Sequence, residues 1–347
     1  MTEAKSGVIS QGQLFFLIFV SRTVVSFTNV RAISVGNLSA DILLSFAMSY
    51  AAALLLSLPV VLCLKKGKSP LKSKILSPIY SFYFLVFCAV NVGRFSYFAS
   101  SRMNPRISLL VFSFLILSAA CYCAYLEIEG LGRFASFCGV ILLVVILVAT
   151  VLNLDKFNAL NLYPVWSNSR ENIFMNTAVF TSNTIEPLLL LALGDKVNKN
   201  PSKPYFLGIS LAFLSVFLLL LFCLGVLGAG ADFRSFPIFS LFQLASFFNT
   251  SRMDILHTAF WVLGVLLKCS VLIYCCCECF KKPSRKKRSI ISSVVAFLLT
   301  ALIYYAAQGY IADYSKTVIV AFFVLLVVVV PTLWLIFSKG EGINEKN

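Results

Sequence analysis

The sequence predicts an all-α polytopic membrane protein, one integral membrane domain over residues 1–347. Ten transmembrane helices are expected in a 5+5 inverted repeat, with helices one and six discontinuous. Three observations carry this expectation. First, 59% of the 347 residues are hydrophobic, only 12% are charged and the mean hydropathy is +0.91, whereas a water-soluble domain carries about 25% charged residues. Second, 33 Phe, 13 Tyr and 3 Trp beside long Leu, Val and Ile runs exceed what one globular core of this length hides from water. Third, two of the apolar runs, five apart in order, are interrupted by polar stretches. The net charge of +15 does not indicate nucleic-acid binding, because the basic residues sit in short stretches between apolar runs. That distribution orients a membrane protein.

A helix crossing ~30 Å of hydrocarbon needs about 20 residues. Apolar runs of that order, bounded by charges, Pro or Asn, fall at 11–35, 41–64, 75–100, 106–126, 133–153, 168–193, 204–230, 253–280, 289–311 and 316–338. The first opens QLFFLIFV and turns polar at SRTVVSFTN, residues 21–29. The fifth, FASFCGVILLVVILVATVL, and the tenth, VIVAFFVLLVVVVPTLWLIF, are the cleanest spans. The sixth is interrupted by NTAVFTSNTIEP, residues 176–187, where Pro187 has no N–H to donate and disfavours helix at the residue before it. Between the seventh and eighth spans, 236–248 is apolar but too short to cross, and an interfacial or re-entrant helix is expected there. Polar interruptions in corresponding members of two five-span halves point to a transporter fold whose ligand lies at the midplane against half-helix ends. Ser and Thr in such stretches also have the alternative of bonding back to their own helix.

Counting Lys and Arg in alternate loops puts 18 on the side of both termini and 8 on the other, so both termini are expected in the cytoplasm. The two most basic loops, KKGKSPLKSK and KKPSRKKR, also suit anionic lipid head groups. No small-residue cleavage site follows the first span, which is expected to remain. The 11 Cys fall in apolar runs and read as packing residues, and a single His257 supplies neither a metal pattern nor a nucleophile–base constellation. No enzyme, cofactor, metal site or catalytic residue is expected.

Apart from the 18 and 8 counted with the loops and span ends, three basic residues remain, and these fall within spans: Arg22, Arg94 and Lys268. A charge at the bilayer centre costs about 2.5–3.5 kcal/mol on insertion scales, so such residues face a polar cavity or a partner. Lys268 lies 14 residues beyond Asp254, about 21 Å along a helix, too deep to reach the interface. Glu186, the carboxylate in the interrupted sixth span, is its expected partner. The candidate ligand-binding residues are Arg22, Thr23, Ser26, Arg94, Thr181, Ser182, Asn183, Thr184, Glu186 and Lys268.

One stretch is specific: Arg252-Met-Asp254, then Trp261, Lys268 seven residues after it, Ser270 and Tyr274. With FPIF before it and the opening ISQGQLFFLIFVSR, it resembles the spore germination receptor B subunits, permease-like proteins related to the amino acid/polyamine/organocation transporters. The resemblance implies ten helices with spans one and six unwound. It also implies a place in the spore inner membrane or bacterial cell membrane, an A subunit and a lipoprotein C subunit as partners, and a small nutrient as ligand. Amino-acid permeases place glycines in the first unwound segment, whereas 21–29 contains none here. An amino acid is the favoured ligand, with a sugar or nucleoside as alternatives and a freestanding secondary transporter as the alternative function.

Overall fold

The computed structural model describes residues 7–245, 253–280, 283–306 and 311–338 and, within them, all side chains except those of 25–29, 306 and 311–315. Nearly all of it is helix. The helices are α1 (Gln11–Ile33), α2 (Asp41–Lys65), α3 (Leu76–Phe98), α4 (Leu109–Tyr125), α5 (Ile128–Val151), α6 (Arg170–Ser182), α7 (Glu186–Leu193) and α8 (Ser202–Leu227). The short α9 (Pro237–Leu244) follows, then α10 (Asp254–Glu278), α11 (Arg285–Ala306), α12 (Ile311–Phe323) and α13 (Val330–Phe337). Span six is the pair α6 and α7, span seven is α8, span eight is α10 and span nine is α11. Span ten is α12 and α13 joined by a π-helical stretch at Val324–Val329. Eight of the spans are long and apolar enough to cross a bilayer. The partly polar α1 and the 17-residue α4 complete the ten.

Span six breaks where the sequence predicts. Residues 183–185 are non-helical between α6 and α7. In an unbroken helix the Pro187 N–H would bond the Asn183 carbonyl; proline has none, and it starts α7 instead, where a missing N–H costs nothing. The Asn183 side chain turns back and donates to the Val179 carbonyl at 2.8 Å.

Span one does not break, which corrects the expectation for helix one. It runs helically over Gln11–Ile33, opened by a capping box between Ser10 and Gln13. The reason is that 21–29 holds neither Gly nor Pro, so nothing removes a backbone donor. Among the described side chains of the polar stretch, Ser21, Arg22 and Thr23 are turned inward, each at most 1% exposed. Thr23 Oγ1 donates to the Phe19 carbonyl one turn back, at 2.7 Å. Polarity here marks a buried polar face and not an interruption of the backbone.

Helix α1 occupies the centre, packed against α5, α8 and α10. Its approach to α8 requires Gly208, where a Cβ would stand 2.7 Å from the Phe15 carbonyl oxygen. Span six and α10 are the most enclosed spans, 83% and 78% buried over their apolar windows, while α11 and span ten are 28% and 22% buried and present most of their surface outward. A two-bond parallel bridge joins Ile9, before α1, to the segment after α7: Ile9 N–H donates to the Lys196 carbonyl and Asn198 N–H to the Ile9 carbonyl, each at 2.9 Å. The chain just before span one and just after span six are thereby fastened together. The short helix expected within 236–248 is α9; residues 246–248 and Arg252 lie outside the described residues.

Candidate functional site

The site is built where α1, the span-six break and α10 meet. Lys268 sits in the middle of α10 and Glu186 is the first residue of α7; both side chains are completely buried. Lys268 Nζ lies 3.1 Å from Glu186 Oε1 and donates to the Ser21 carbonyl at 2.8 Å. Ser21 Oγ donates to the same Glu186 oxygen at 2.7 Å. Three spans are thus tied by one ammonium, one carboxylate and one serine. The Lys268 ammonium also stands 5.4 Å from the centre of the Phe87 ring, so span three supplies an aromatic face to the same charge.

Arg22, one residue on from Ser21, points toward the other side of the break. Its Nη2 donates to the Phe180 carbonyl at 3.2 Å, and its guanidinium lies 4.5 Å from the Phe213 ring centre and 6.0 Å from that of Phe46. Arg94, half-buried on α3, donates from Nη1 to Asn183 Oδ1 at 3.1 Å. It therefore reaches the break and not the membrane interface. Three cationic side chains from α1, α3 and α10 surround the point where span six stops being helical.

The hydroxyl groups divide into two kinds. Thr23, Thr181 and Ser182 are turned onto carbonyls of their own helices, Thr181 Oγ1 to Thr177 at 2.7 Å and Ser182 Oγ to Val179 at 2.9 Å. They complete backbone hydrogen bonding and are not displayed to a ligand. Thr184 is different: it lies in the break, is fully buried, and its Oγ1 has no hydrogen-bond partner. The second carboxylate oxygen, Glu186 Oε2, is likewise buried and unpartnered. The side chain of Ser26 lies outside the described residues.

The candidate ligand-binding residues omit Ser21, which bridges the two charges, and Trp261, which the sequence marks only as part of the Arg252–Tyr274 pattern. The Trp261 ring packs edge-on against Phe98 at 4.5 Å and Phe95 at 5.5 Å, and its Nε1 is buried without a partner. Ser21 could have been found from its place beside Arg22 at the start of the polar stretch; Trp261 from its spacing one face above Lys268. His257 sits in an aromatic pocket, 4.9 Å from Phe242 and 5.4 Å from Phe239 between ring centres.

The arrangement can do one thing chemically. It holds opposite charges out of water with two buried acceptor atoms, Glu186 Oε2 and Thr184 Oγ1, left without a hydrogen-bond partner at the start of a half-helix. Buried polar atoms without partners cost about 1–3 kcal/mol each, a cost that a donor placed against them would offset. Among the described residues no bond-making constellation accompanies it.

A family model described as spore germination protein, Spore_permease, matches residues 8–288. No curated protein matches significantly. Among solved structures, the chain is similar to Mhp1, a nucleobase-cation-symport-1 family transporter in a closed conformation with bromovinylhydantoin bound. That likeness has TM-score 0.58 at 10% identity, over 92% of this chain and 78% of the other. It is also similar to a Na+-coupled sialic acid symporter in a substrate-bound outward-open state, with TM-score 0.58 at 14% identity, over 92% and 79%. The inward-facing conformation of Mhp1 matches with TM-score 0.56 at 11% identity, over 93% and 80%. At these identities the likeness establishes the fold.

Proposed function

Because the chain belongs to the spore germination protein family, an integral membrane protein with a transporter fold, we propose that it is the nutrient-sensing B subunit of a spore germination receptor. It binds a small solute beside the span-six break and converts nothing chemically. The single observation supporting this reading is the pair of buried, unpartnered acceptors, Glu186 Oε2 and Thr184 Oγ1, held beside the fixed charge of Lys268. An amino acid suits them best: its ammonium supplies donors to Glu186 and Thr184, while Arg22 offers a charged donor to its carboxylate. A ligand that binds one conformation better than another shifts their populations. An A subunit and a lipoprotein C subunit in the spore inner membrane are the partners that read that shift.

The test is a thermal-unfolding screen of the purified full-length protein against amino acids, sugars and nucleosides. One class is expected to raise stability, by about 2.7 kcal/mol at a hundredfold excess over Kd. Thr184→Val, which removes a hydroxyl the fold does not use, is expected to keep basal stability and reduce that gain. In spores, Lys268→Ala should abolish the response and Lys74→Ala leave it intact. No stabilisation by any class, or equal responses from the two lysine variants, overturns the reading. A freestanding secondary transporter is the second reading, favoured by the symporters among the structural neighbours. Glu186 would then carry a proton.

A further inference from the structure

A second site lies away from the break, at the basic end of α3, α10 and α11. The first turn of α11 carries two arginines in contrasting surroundings. Arg285 is held by two carboxylates, Glu278 at 2.9 Å and Glu127 at 3.2 Å. Arg288, three residues on, pairs with no carboxylate among the described residues. It donates from Nη1 to the Cys277 carbonyl, and its Nε is buried without a partner. A partly buried guanidinium whose charge no described carboxylate balances favours an anion beside it.

Arg288 borders a cavity of about 300 Å³ between the three helices. Its inner wall is polar and small: Ser81 and Ser292, both buried, with the Cys276 thiol between them at 3.0 Å and 3.3 Å from their oxygens. Its outer rim is apolar and open, with Phe82 52% and Ile291 55% exposed. The same first turn of α11 carries the exposed Lys286 and Lys287. The groove therefore has a cationic and hydroxyl-lined head, an apolar flank facing outward, and a place at the ends of three spans, where lipid head groups lie.

We propose that this groove holds one anionic phospholipid. Its phosphate accepts from Arg288 Nε and the serine hydroxyls, and one acyl chain runs along Phe82 and Ile291 toward the bilayer centre. Bound there, the lipid bridges α3, α10 and α11. Because α10 also carries Lys268, lipid occupancy fastens the helix that the ligand site depends on.

The test is native mass spectrometry of the full-length protein, delipidated and then supplied with phosphatidylglycerol or phosphatidylcholine. The wild-type protein is expected to retain one phosphatidylglycerol in preference to phosphatidylcholine. Arg288→Gln should lower that occupancy about fivefold, the ratio given by ~1 kcal/mol per basic residue, and Arg133→Gln, in an exposed pair with Glu129 at the same end, should not. Equal retention of the two lipids overturns the proposal, and this comparison needs no variant to fold. So does Arg288→Gln binding like wild type, inorganic phosphate stabilising the protein as well as phosphatidylglycerol does, or a dimer that persists with the groove free of lipid.

Discussion

Both ions of the Lys268–Glu186 pair, 3.1 Å apart, are wholly removed from water, which makes each costly without the other. Removing one partner of such a pair typically costs about 3–5 kcal/mol because it strands the other, whereas replacing both can be nearly neutral. Glu186→Gln and Lys268→Met singly are therefore expected to destabilise strongly, and the double variant Glu186→Gln/Lys268→Met less than the sum; unfolding in detergent across the four proteins measures the coupling. The pairing was legible in the sequence, because hydrocarbon leaves a mid-span lysine few partners and Glu186 is the carboxylate that sits at the interruption of span six, Glu171 lying at the span's start. Ser21 was not legible in its role. A serine beside an arginine is commonplace, and only the approach of α10 to α1 puts its hydroxyl and its carbonyl on two different charges.

Two helices with similarly polar stretches behave differently. Span six breaks because Pro187 withholds a donor that no side chain replaces, and α7 begins anew. Span one keeps its ladder because every residue from 21 to 29 has an N–H, and Ser21 and Arg22 bond to the break and to α10. Composition reports polarity, but continuity depends on backbone donors. The contact of α1 with α8 rests on Gly208: Gly208→Ala places a methyl 2.7 Å from the backbone carbonyl oxygen of Phe15, so one helix must shift. Overpacking of this kind costs about 1–3 kcal/mol, so the variant should unfold several degrees below wild type in a thermal scan, while Gly230→Ala, whose Cβ meets nothing within 4 Å, should not.

At the scale of the whole molecule, enclosure is uneven: span six and α10 are surrounded by protein, while α11 and span ten form an outer layer. At the basic end Glu278 joins Lys196 to Arg285, Arg285 reaches Glu127, and Lys196 donates to the Tyr274 hydroxyl at 2.6 Å. These links fasten the chain after span six to spans eight, nine and five. A receptor subunit needs only to bind and to shift population, whereas a transporter turns over. Full-length protein in proteoliposomes, supplied with the ligand found by the thermal screen, is expected to bind without accumulating it under a proton gradient. Robust gradient-driven accumulation would favour the transporter reading.

The sequence by itself determined the solvent, the number of spans and the deep charges. Each follows from a one-dimensional rule: hydrocarbon thickness sets run length, and the cost of ions in lipid makes a mid-span lysine conspicuous. The break in span six also follows from sequence, since the lack of a proline N–H is a local fact. Only the tertiary structure decided that Ser21 bridges the two charges, that Arg94 reaches the break, and that three of the predicted hydroxyls face their own backbones. Those outcomes depend on which neighbours a helix face meets, and that is a property of packing between segments far apart in the chain.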